Sequence, residues 1–271
     1  LEILLEGRDG SSIPEMLDEQ VAAVLINHVD YRSGIIRDME NLTRQVQEFG
    51  GLTVWDLSHS AGIFPVQLNR CRVDFAVGCT YKYLNGGPGA PAYLYAASRH
   101  HTACNQPLSG WFGHARPFDF ERHFDPDSGI RRFVCGTQPI LSLRALQSGL
   151  EIYQDVSLQQ VREKSMALTD LFIMLLKNEC AAWELEIISP EDASQRGSQV
   201  AVSHPQGYAV MQALISRGVI GDFRAPNLMR FGFAPLFLSY QDIHDAVKQL
   251  KQILESEEWN QEAFLQKSKV T

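Results

Sequence analysis

Two residues of this sequence, Asp56 and Lys82, have the side chains that Schiff-base chemistry needs and lie one predicted strand apart. Asp56 stands at the end of the strand-like string LTVWDL, and Lys82 follows the next such string, VDFAVGC. Ligands of open α/β sheets bind at the carboxyl edge, where strand ends of this kind meet. A lysine amine can hold an aldehyde and an acid can keep a pyridine nitrogen protonated, which are the requirements of pyridoxal phosphate. We therefore expect Lys82 to carry this cofactor and Asp56 to pair with its ring nitrogen.

Both residues also have ordinary alternatives. Asp56 could cap the segment that follows it, and Lys82 could be a solvated loop lysine. The neighbours of Lys82 favour the chemical role, because Tyr81 and Tyr83 flank it and the string NGGPG follows. Such surroundings partly desolvate an amine and let backbone approach a ligand closely.

The elements that must position this pair are strands that alternate with helical connections. Hydrophobic periodicity predicts strands at residues 21–29, 52–57, 73–79 and 92–96, and a helix at residues 33–49. This alternation predicts a largely parallel sheet that is covered on both faces.

The remainder of the chain is predicted to be a long loop region followed by helices and a smaller α/β arrangement. Residues 107–139 are rich in Gly, Pro, Arg and aromatic residues without a sustained period, which is typical of ordered loops that serve a site or an interface. Residues 140–180 predict one long helix or two consecutive helices with a break near Asp155. Beyond them we predict strands at residues 185–188, 198–203 and 229–233, helices at residues 208–217 and 240–255, and a frayed tail at residues 266–271.

Composition limits the classes of partner. The 271 residues are 45% hydrophobic and 21% charged with a net charge of -8, and no cluster of Lys and Arg suggests nucleic-acid binding. No apolar run approaches the roughly 20 residues that span a bilayer, so we expect no membrane partner and a cytoplasmic protein. Five dispersed cysteines without a C-x-x-C pair favour reduced thiols and no metal site.

Five strings along the chain resemble the motifs of kynureninase, a fold-type-I pyridoxal-phosphate hydrolase. They are WDLSHSAG, CTYKYLNGGPGAP, PLSGWFGH, CGTQPI and MRFGF, in that order, and the resemblance extends from about residue 21 to about residue 254. LSGWFGH is the most specific of them, because related lyases share loosely the lysine string and its Gly-rich loop. The resemblance implies an α/β, fold-type-I transferase-like fold with a mainly parallel sheet flanked by helices. It also implies that residues 1–139 are the C-terminal part of a large cofactor-binding domain, that residues 140–180 are a connecting helical segment, and that residues 181–271 are a small C-terminal α/β domain.

Position by position, the resemblance implies roles for residues near the central pair. Lys82 would be the Schiff-base lysine and the acid/base, and Asp56 would contact the ring nitrogen. Tyr81 would donate its phenol to the cofactor phosphate, and His59 would line the cofactor site. A capping or core position is the alternative for His59.

More distant residues also receive roles from the resemblance. Trp111 and Thr137 are implied to reach the phosphate from a neighbouring subunit, which implies a homodimer with shared sites; packing and an N-cap are their alternatives. Arg230 is implied to bind the substrate carboxylate bidentately, with a structural salt bridge as its alternative. Asn27 stands where Ser or Thr is expected near the cofactor, and its amide can also form a hydrogen bond. His114 has no assignable chemical role.

The family's chain extends further at its N-terminus than this sequence does. The additional part is expected to hold the aromatic residue that stacks on the ring, a second acid and the groups that hold the phosphate. We therefore expect a truncated chain with an exposed sheet edge or apolar face and weakened cofactor binding. Lys82 and Asp56 should be necessary but insufficient for turnover.

The resemblance implies hydrolysis of the β,γ carbon–carbon bond of L-kynurenine or 3-hydroxykynurenine. The products would be anthranilate or 3-hydroxyanthranilate, and L-alanine. The sequence does not decide between the two substrates. Two alternatives stay open: another fold-type-I lyase or aminotransferase, and a non-catalytic fragment that acts as an interaction module.

Overall fold

The computed structural model describes residues 2–7 and 12–266. The predicted frayed tail falls on residues 266–271, of which 267–271 lie outside the described residues. Contacts divide the chain into two compact units. The first unit comprises Leu1–His28, Asp38–Ser58 and Val66–Ile152, and the second comprises Val29–Arg37, His59–Pro65 and Tyr153–Thr271. The domain boundaries at residues 139 and 180 stay a prediction.

The first unit contains a sheet of four strands in the order β1-β2-β3-β4. The strands pair parallel from β1 to β3, and β4 is antiparallel. In chain order the elements are β1 (Ala23–Asn27), α1 (Met39–Glu48), β2 (Leu52–Asp56), β3 (Phe75–Cys79), β4 (Ala92–Ala96) and α2 (Ile140–Glu151). All four strand predictions for this part of the chain are confirmed. The predicted helix starts later than expected, because the Asp38 carboxylate accepts the Asn41 N–H and caps α1 there.

Successive residues of each strand point to opposite faces of this sheet, one of which is buried and the other exposed. Ile26, Trp55 and Ala76 are fully buried on one face, where Trp55 Nε1 donates to Thr43 Oγ1 of α1 at 3.0 Å. On the opposite face, Leu25 is 70% exposed and Val77 and Leu94 are also exposed. The pleat puts Asp56 on this second face, since Asp56 pairs in register with Val77.

A buried carboxylate joins the starts of β2 and β3. Asp74 accepts hydrogen bonds from the backbone N–H and hydroxyl of Thr53, each at 3.0 Å, and from Arg99 at 2.6 Å. Gln47 of α1 donates at 2.9 Å, and His100 Nε2 lies 2.7 Å away. Burial alone would raise the pKa of Asp74, but these donors hold it below its usual range. The network fixes the register of the two strands that end at Asp56 and Cys79.

The second unit is an antiparallel sheet in the order β5-β6-β8-β7 with three long helices. Its elements are α3 (Leu158–Glu179), β5 (Glu186–Ile187), β6 (Gln199–Ser203), α4 (Gly207–Ser216), β7 (Asp222–Arg224), β8 (Leu228–Gly232), α5 (Tyr240–Glu255) and α6 (Glu262–Leu265). Phe172, Met211, Met229 and Leu250 are buried in one core. The break near Asp155 is confirmed, and β7 is an element that periodicity did not predict. Among the described residues, no helix is long and apolar enough to span a bilayer.

We expect His28 to make the stability of the fold depend on pH. This residue follows β1, and its ring makes an edge-to-face contact with Trp55, with the ring centroids 5.8 Å apart. Burial lowers the pKa of His28 from 6.5 to about 4. The unfolded chain therefore binds one more proton between these values, and stability falls as pH falls through that window. We expect a loss of roughly 3 kcal/mol by pH 4.

This loss can be measured by urea unfolding of the wild-type chain and His28→Gln from pH 7 to pH 4. The variant should show a clearly smaller decrease in the free energy of unfolding than the wild type. The exposed His244 offers a matched control, since His244→Gln should keep the wild-type slope. Equal slopes for His28→Gln and the wild type would contradict the assignment.

Candidate active site

Asp56 and Asn27 end neighbouring parallel strands and lie side by side at the carboxyl edge of the first sheet. They are register partners across β1 and β2, and the His28 N–H donates to the Asp56 carbonyl at 3.0 Å. The half-buried Asp56 carboxylate accepts the Ser58 N–H through Oδ1 at 2.8 Å. Within the described residues, no hydrogen-bond donor of the protein contacts Oδ2. One carboxylate oxygen is therefore available to a ligand.

Lys82 lies in the loop that follows β3, and hydrogen bonds shape the backbone of this loop. The Asn85 N–H donates to the Lys82 carbonyl, and the Gly86 N–H donates to the Thr80 carbonyl, each at 2.9 Å. Asn85 and Gly87 have φ values of 60° and 72°, a conformation that Gly adopts readily and Asn more often than most residues. The string NGG after the lysine thus provides the turn that returns the chain towards β4.

The Tyr81 side chain interacts with both Lys82 and Asp56. The Lys82 amine lies 5.6 Å from the centroid of the Tyr81 ring. The Cys79 thiol, partial burial and Asp56 together raise the pKa of the Tyr81 phenol. Burial, Cys79 and Asp56 likewise raise the pKa of Tyr93 to about 12. The structure thus brings Asp56, Tyr81 and Lys82 together, and it keeps the Tyr81 phenol protonated as a hydrogen-bond donor at neutral pH.

A tyrosine that the sequence analysis missed packs beneath this edge. Tyr93 of β4 pairs with Gly78 of β3, and any Cβ at residue 78 would collide with its hydroxyl. Gly78 is therefore required by close packing. The alternation of residues in β4 could have indicated that Tyr93 points inward, but not that it approaches the site.

Trp111 and Thr137 lie in the loop region of the same unit. Trp111 begins a short 3₁₀ turn, is 46% exposed, and contacts the rings of Phe112 and Phe118 with centroids 4.5 and 5.8 Å apart. Thr137 is exposed and does not cap α2, whose N-cap is Pro139. Among the described residues, no hydrogen bond or ring contact joins either side chain to Asp56 or Lys82.

His59 and Arg230 belong to the second unit. His59 is half-buried in the turn after β2. Arg230 of β8 is almost buried and forms a bidentate ion pair with Asp222 of β7, with Nε–Oδ1 and Nη2–Oδ2 distances of 2.6 and 2.5 Å. The structural salt bridge that was the alternative for Arg230 is therefore present. Sequence reasoning missed Asp222 because β7 has only three residues.

His114, which received no chemical role, has a structural one. Its ring is buried; Nδ1 accepts the Arg116 N–H at 2.9 Å, and Nε2 lies 3.1 Å from the His123 carbonyl. These contacts hold the loop that carries Trp111.

Comparison with known proteins identifies relatives of most of this chain. A family model described as the kynureninase C-terminal domain matches residues 161–250. Curated kynureninases of Burkholderia mallei and Burkholderia pseudomallei are 49% identical over 263 residues, which is 97% of this chain and 63% of each relative. The kynureninase of Pseudomonas fluorescens is 48% identical over 259 residues, which is 96% of this chain and 62% of the relative. The chain thus spans slightly less than two thirds of the length of these relatives.

Solved structures with similar folds have much lower sequence identity. A cysteine desulfurase from Thermococcus onnurineus NA1 has a TM-score of 0.76 at 18% identity, covering 90% of this chain and 62% of that one. A C-DES variant with glycine covalently linked to its PLP cofactor has a TM-score of 0.77 at 17% identity, covering 88% and 62%. An alanine–glyoxylate aminotransferase from Nostoc has a TM-score of 0.63 at 20% identity, covering 86% and 62%. At these identities the likeness concerns the fold, and it confirms the predicted fold class.

Proposed function

Because this chain is related to the kynureninases over 97% of its length, we propose that the complete protein cleaves the β,γ carbon–carbon bond of L-kynurenine or 3-hydroxykynurenine. Water would be the second reactant, and the products would be anthranilate or 3-hydroxyanthranilate, and L-alanine. The observation that carries the proposal is the meeting of Asp56, Tyr81 and Lys82 at one sheet edge.

These residues fit pyridoxal phosphate by the chemistry of their donors and acceptors. Lys82 supplies an amine, Asp56 supplies a carboxylate oxygen without a protein donor in the described residues, and Tyr81 supplies a protonated phenol. When bound, the cofactor would supply an aldehyde for amines and an electron sink for the substrate's α-carbon. We infer that Lys82, Asp56, Tyr81, Asn27 and His59 line its site.

Each residue then has a physical task. The Lys82 amine would hold the cofactor aldehyde and would move a proton at the substrate's α-carbon. The Asp56 carboxylate would keep the pyridine nitrogen protonated through a charge-assisted hydrogen bond. Tyr81 would donate its phenol to the phosphate, and Arg230 would bind the substrate carboxylate.

We further propose a homodimer in which Trp111 and Thr137 reach the phosphate of the partner's site. The loop region of the first unit supports this arrangement, since Leu108, Phe118 and Phe120 are 71%, 69% and 84% exposed. Several exposed apolar side chains in one loop region are consistent with an interaction surface. A monomer of the complete protein in sedimentation equilibrium would contradict the dimer. A cytoplasmic location stays a prediction.

One assay tests the reaction. The complete protein with pyridoxal phosphate should convert L-kynurenine or its 3-hydroxy derivative to the fluorescent aminobenzoate and alanine in a 1:1 ratio. A Schiff-base absorbance band without either product would favour another lyase or an aminotransferase. Absence of both the band and the products would contradict the proposal as a whole.

A further inference from the structure

The guanidinium of Arg230 is held in one orientation by a carboxylate on the neighbouring strand. Asp222 and Arg230 are directly opposed in the β7–β8 pair, and both carboxylate oxygens accept from the arginine, at 2.6 and 2.5 Å. Because only 10% of the arginine side chain is exposed, a carboxylate at this position also offsets the cost of burying its charge. A bidentate pair fixes the plane of a guanidinium, whereas a single contact leaves it free to rotate.

Tyr31 makes a second set of contacts that also holds the Arg230 guanidinium in place. Arg230 Nη1 donates to the Tyr31 carbonyl, and the guanidinium carbon lies 5.8 Å from the centroid of the Tyr31 ring. The same carbonyl accepts from Gln199 Nε2 at 3.1 Å, so the acceptor is itself held in place.

The donors of Arg230 can be counted from these contacts. A guanidinium has five N–H groups, two of them on each terminal nitrogen. Asp222 and Tyr31 engage one on Nε, one on Nη2 and one on Nη1. One N–H on each terminal nitrogen thus has no acceptor among the described residues. A second carboxylate that approaches the two terminal nitrogens end-on binds bidentately through one N–H of each.

The charge around Asp222 still favours an anion. Arg224 Nη2 lies 3.5 Å from Asp222 Oδ2, so the carboxylate stands between two arginines. With Arg224, Arg230 and Asp222 all ionised, the group carries a net charge of about +1. Neutralisation of Arg230 by Asp222 therefore does not remove the attraction for a carboxylate ligand.

Resting on the proposed function, we propose that Asp222 is a positioning residue that aims the two remaining N–H groups of Arg230 at the α-carboxylate of the amino-acid substrate. Its effect is transmitted through Arg230 and not through contact with the substrate. The other interpretation is a salt bridge that only joins the two strands of the hairpin.

The test uses the complete protein with its cofactor bound and two ligands that differ in the carboxylate. L-Alanine carries the carboxylate, and kynuramine is kynurenine without it; each is titrated by the change in cofactor absorbance. We expect Asp222→Asn to raise the Kd of L-alanine about 10-fold, the effect of one weakened hydrogen bond between charged groups. The Kd of kynuramine should stay within about twofold. For kynurenine turnover, KM should rise and kcat should change little, because carboxylate binding is shared by the ground and transition states.

Matched variants separate positioning from loss of structure. Asp222→Glu can still accept both bonds and should restore most of the L-alanine affinity. If Asp222→Asn does not fold, Asp222→Ser replaces it, since a hydroxyl can accept one of the two bonds but carries no charge. In an Arg230→Ala background, Asp222→Asn should have no further effect on L-alanine. The exposed Asp245 is the control, and Asp245→Asn should resemble the wild type.

Two results would overturn the proposal: equal weakening of both ligands, or an unchanged Kd for L-alanine. L-Alanine binding is measured without any kynurenine cleavage. If kynurenine is not cleaved but Asp222→Asn still weakens L-alanine selectively, the proposed reaction fails and the positioning role stands. If kynurenine is cleaved and L-alanine affinity is unchanged, only the positioning role fails.

Discussion

Lys82→Ala should abolish the Schiff-base absorbance band of the complete protein with pyridoxal phosphate, and should lower kcat for kynurenine by about 10⁴-fold or more. Two losses combine in this effect. On the proposed roles of Lys82, the variant loses both the amine that would hold the aldehyde and the group that would move the proton at the α-carbon. General acid/base catalysis by a positioned group alone accounts for about 10² to 10⁴-fold.

The chain offers a matched control for this variant. Lys248 lies on the exposed side of α5, and Lys248→Ala should leave the band and the turnover unchanged. Circular dichroism of both variants checks that the fold is retained. A Lys82→Ala protein that keeps the band would place the Schiff base on another lysine and would contradict the assignment.

Asp56→Asn should lower kcat by about 100-fold while the protein still binds cofactor, because about 3 kcal/mol is the upper range for a hydrogen bond to a charged group. The amide oxygen of Asn can still accept the Ser58 N–H, so the local fold should persist. On the proposed role, the variant loses the negative charge that would keep the ring nitrogen protonated. The electron sink would then be weaker, and proton removal at the α-carbon would be slower.

Rapid-mixing kinetics with kynurenine as substrate measure this effect. The kcat of Asp56→Asn is compared with that of the wild type and of Asp245→Asn, which removes an exposed carboxylate from the second unit. The control should match the wild type. A kcat for Asp56→Asn within about twofold of the wild type would mean that this carboxylate does not act on the ring.

The sheet of the first unit could be predicted because its strands are short apolar runs separated by Gly and Pro. Asp56 ends β2 and Lys82 follows the adjacent parallel strand β3, so topology alone brings them to one edge. The start of α1 was placed too early, because the predicted helix included Gly34, which has a φ of 77°. The capping carboxylate at Asp38 is a stronger start signal than the apolar period that precedes it.

Side-chain contacts that depend on strand register or on tertiary packing could not be predicted. The ion pair of Asp222 with Arg230 depends on the register of β7 against β8, and a strand of three residues has no detectable period. The Tyr31 carbonyl accepts from Arg230, which lies 199 positions away in the sequence, and no local pattern can indicate such a contact. The roles of His59, Trp111 and Thr137 came from resemblance and stay predictions.

Borohydride trapping tests the central assignment most directly. The protein is incubated with pyridoxal phosphate, reduced with sodium borohydride and digested, and the labelled peptide is identified by mass spectrometry. We predict a single stoichiometric label on Lys82, in the peptide that contains TYKYLNGG. A stoichiometric label on Lys248, Lys251 or another lysine, with Lys82 unmodified, would contradict the account.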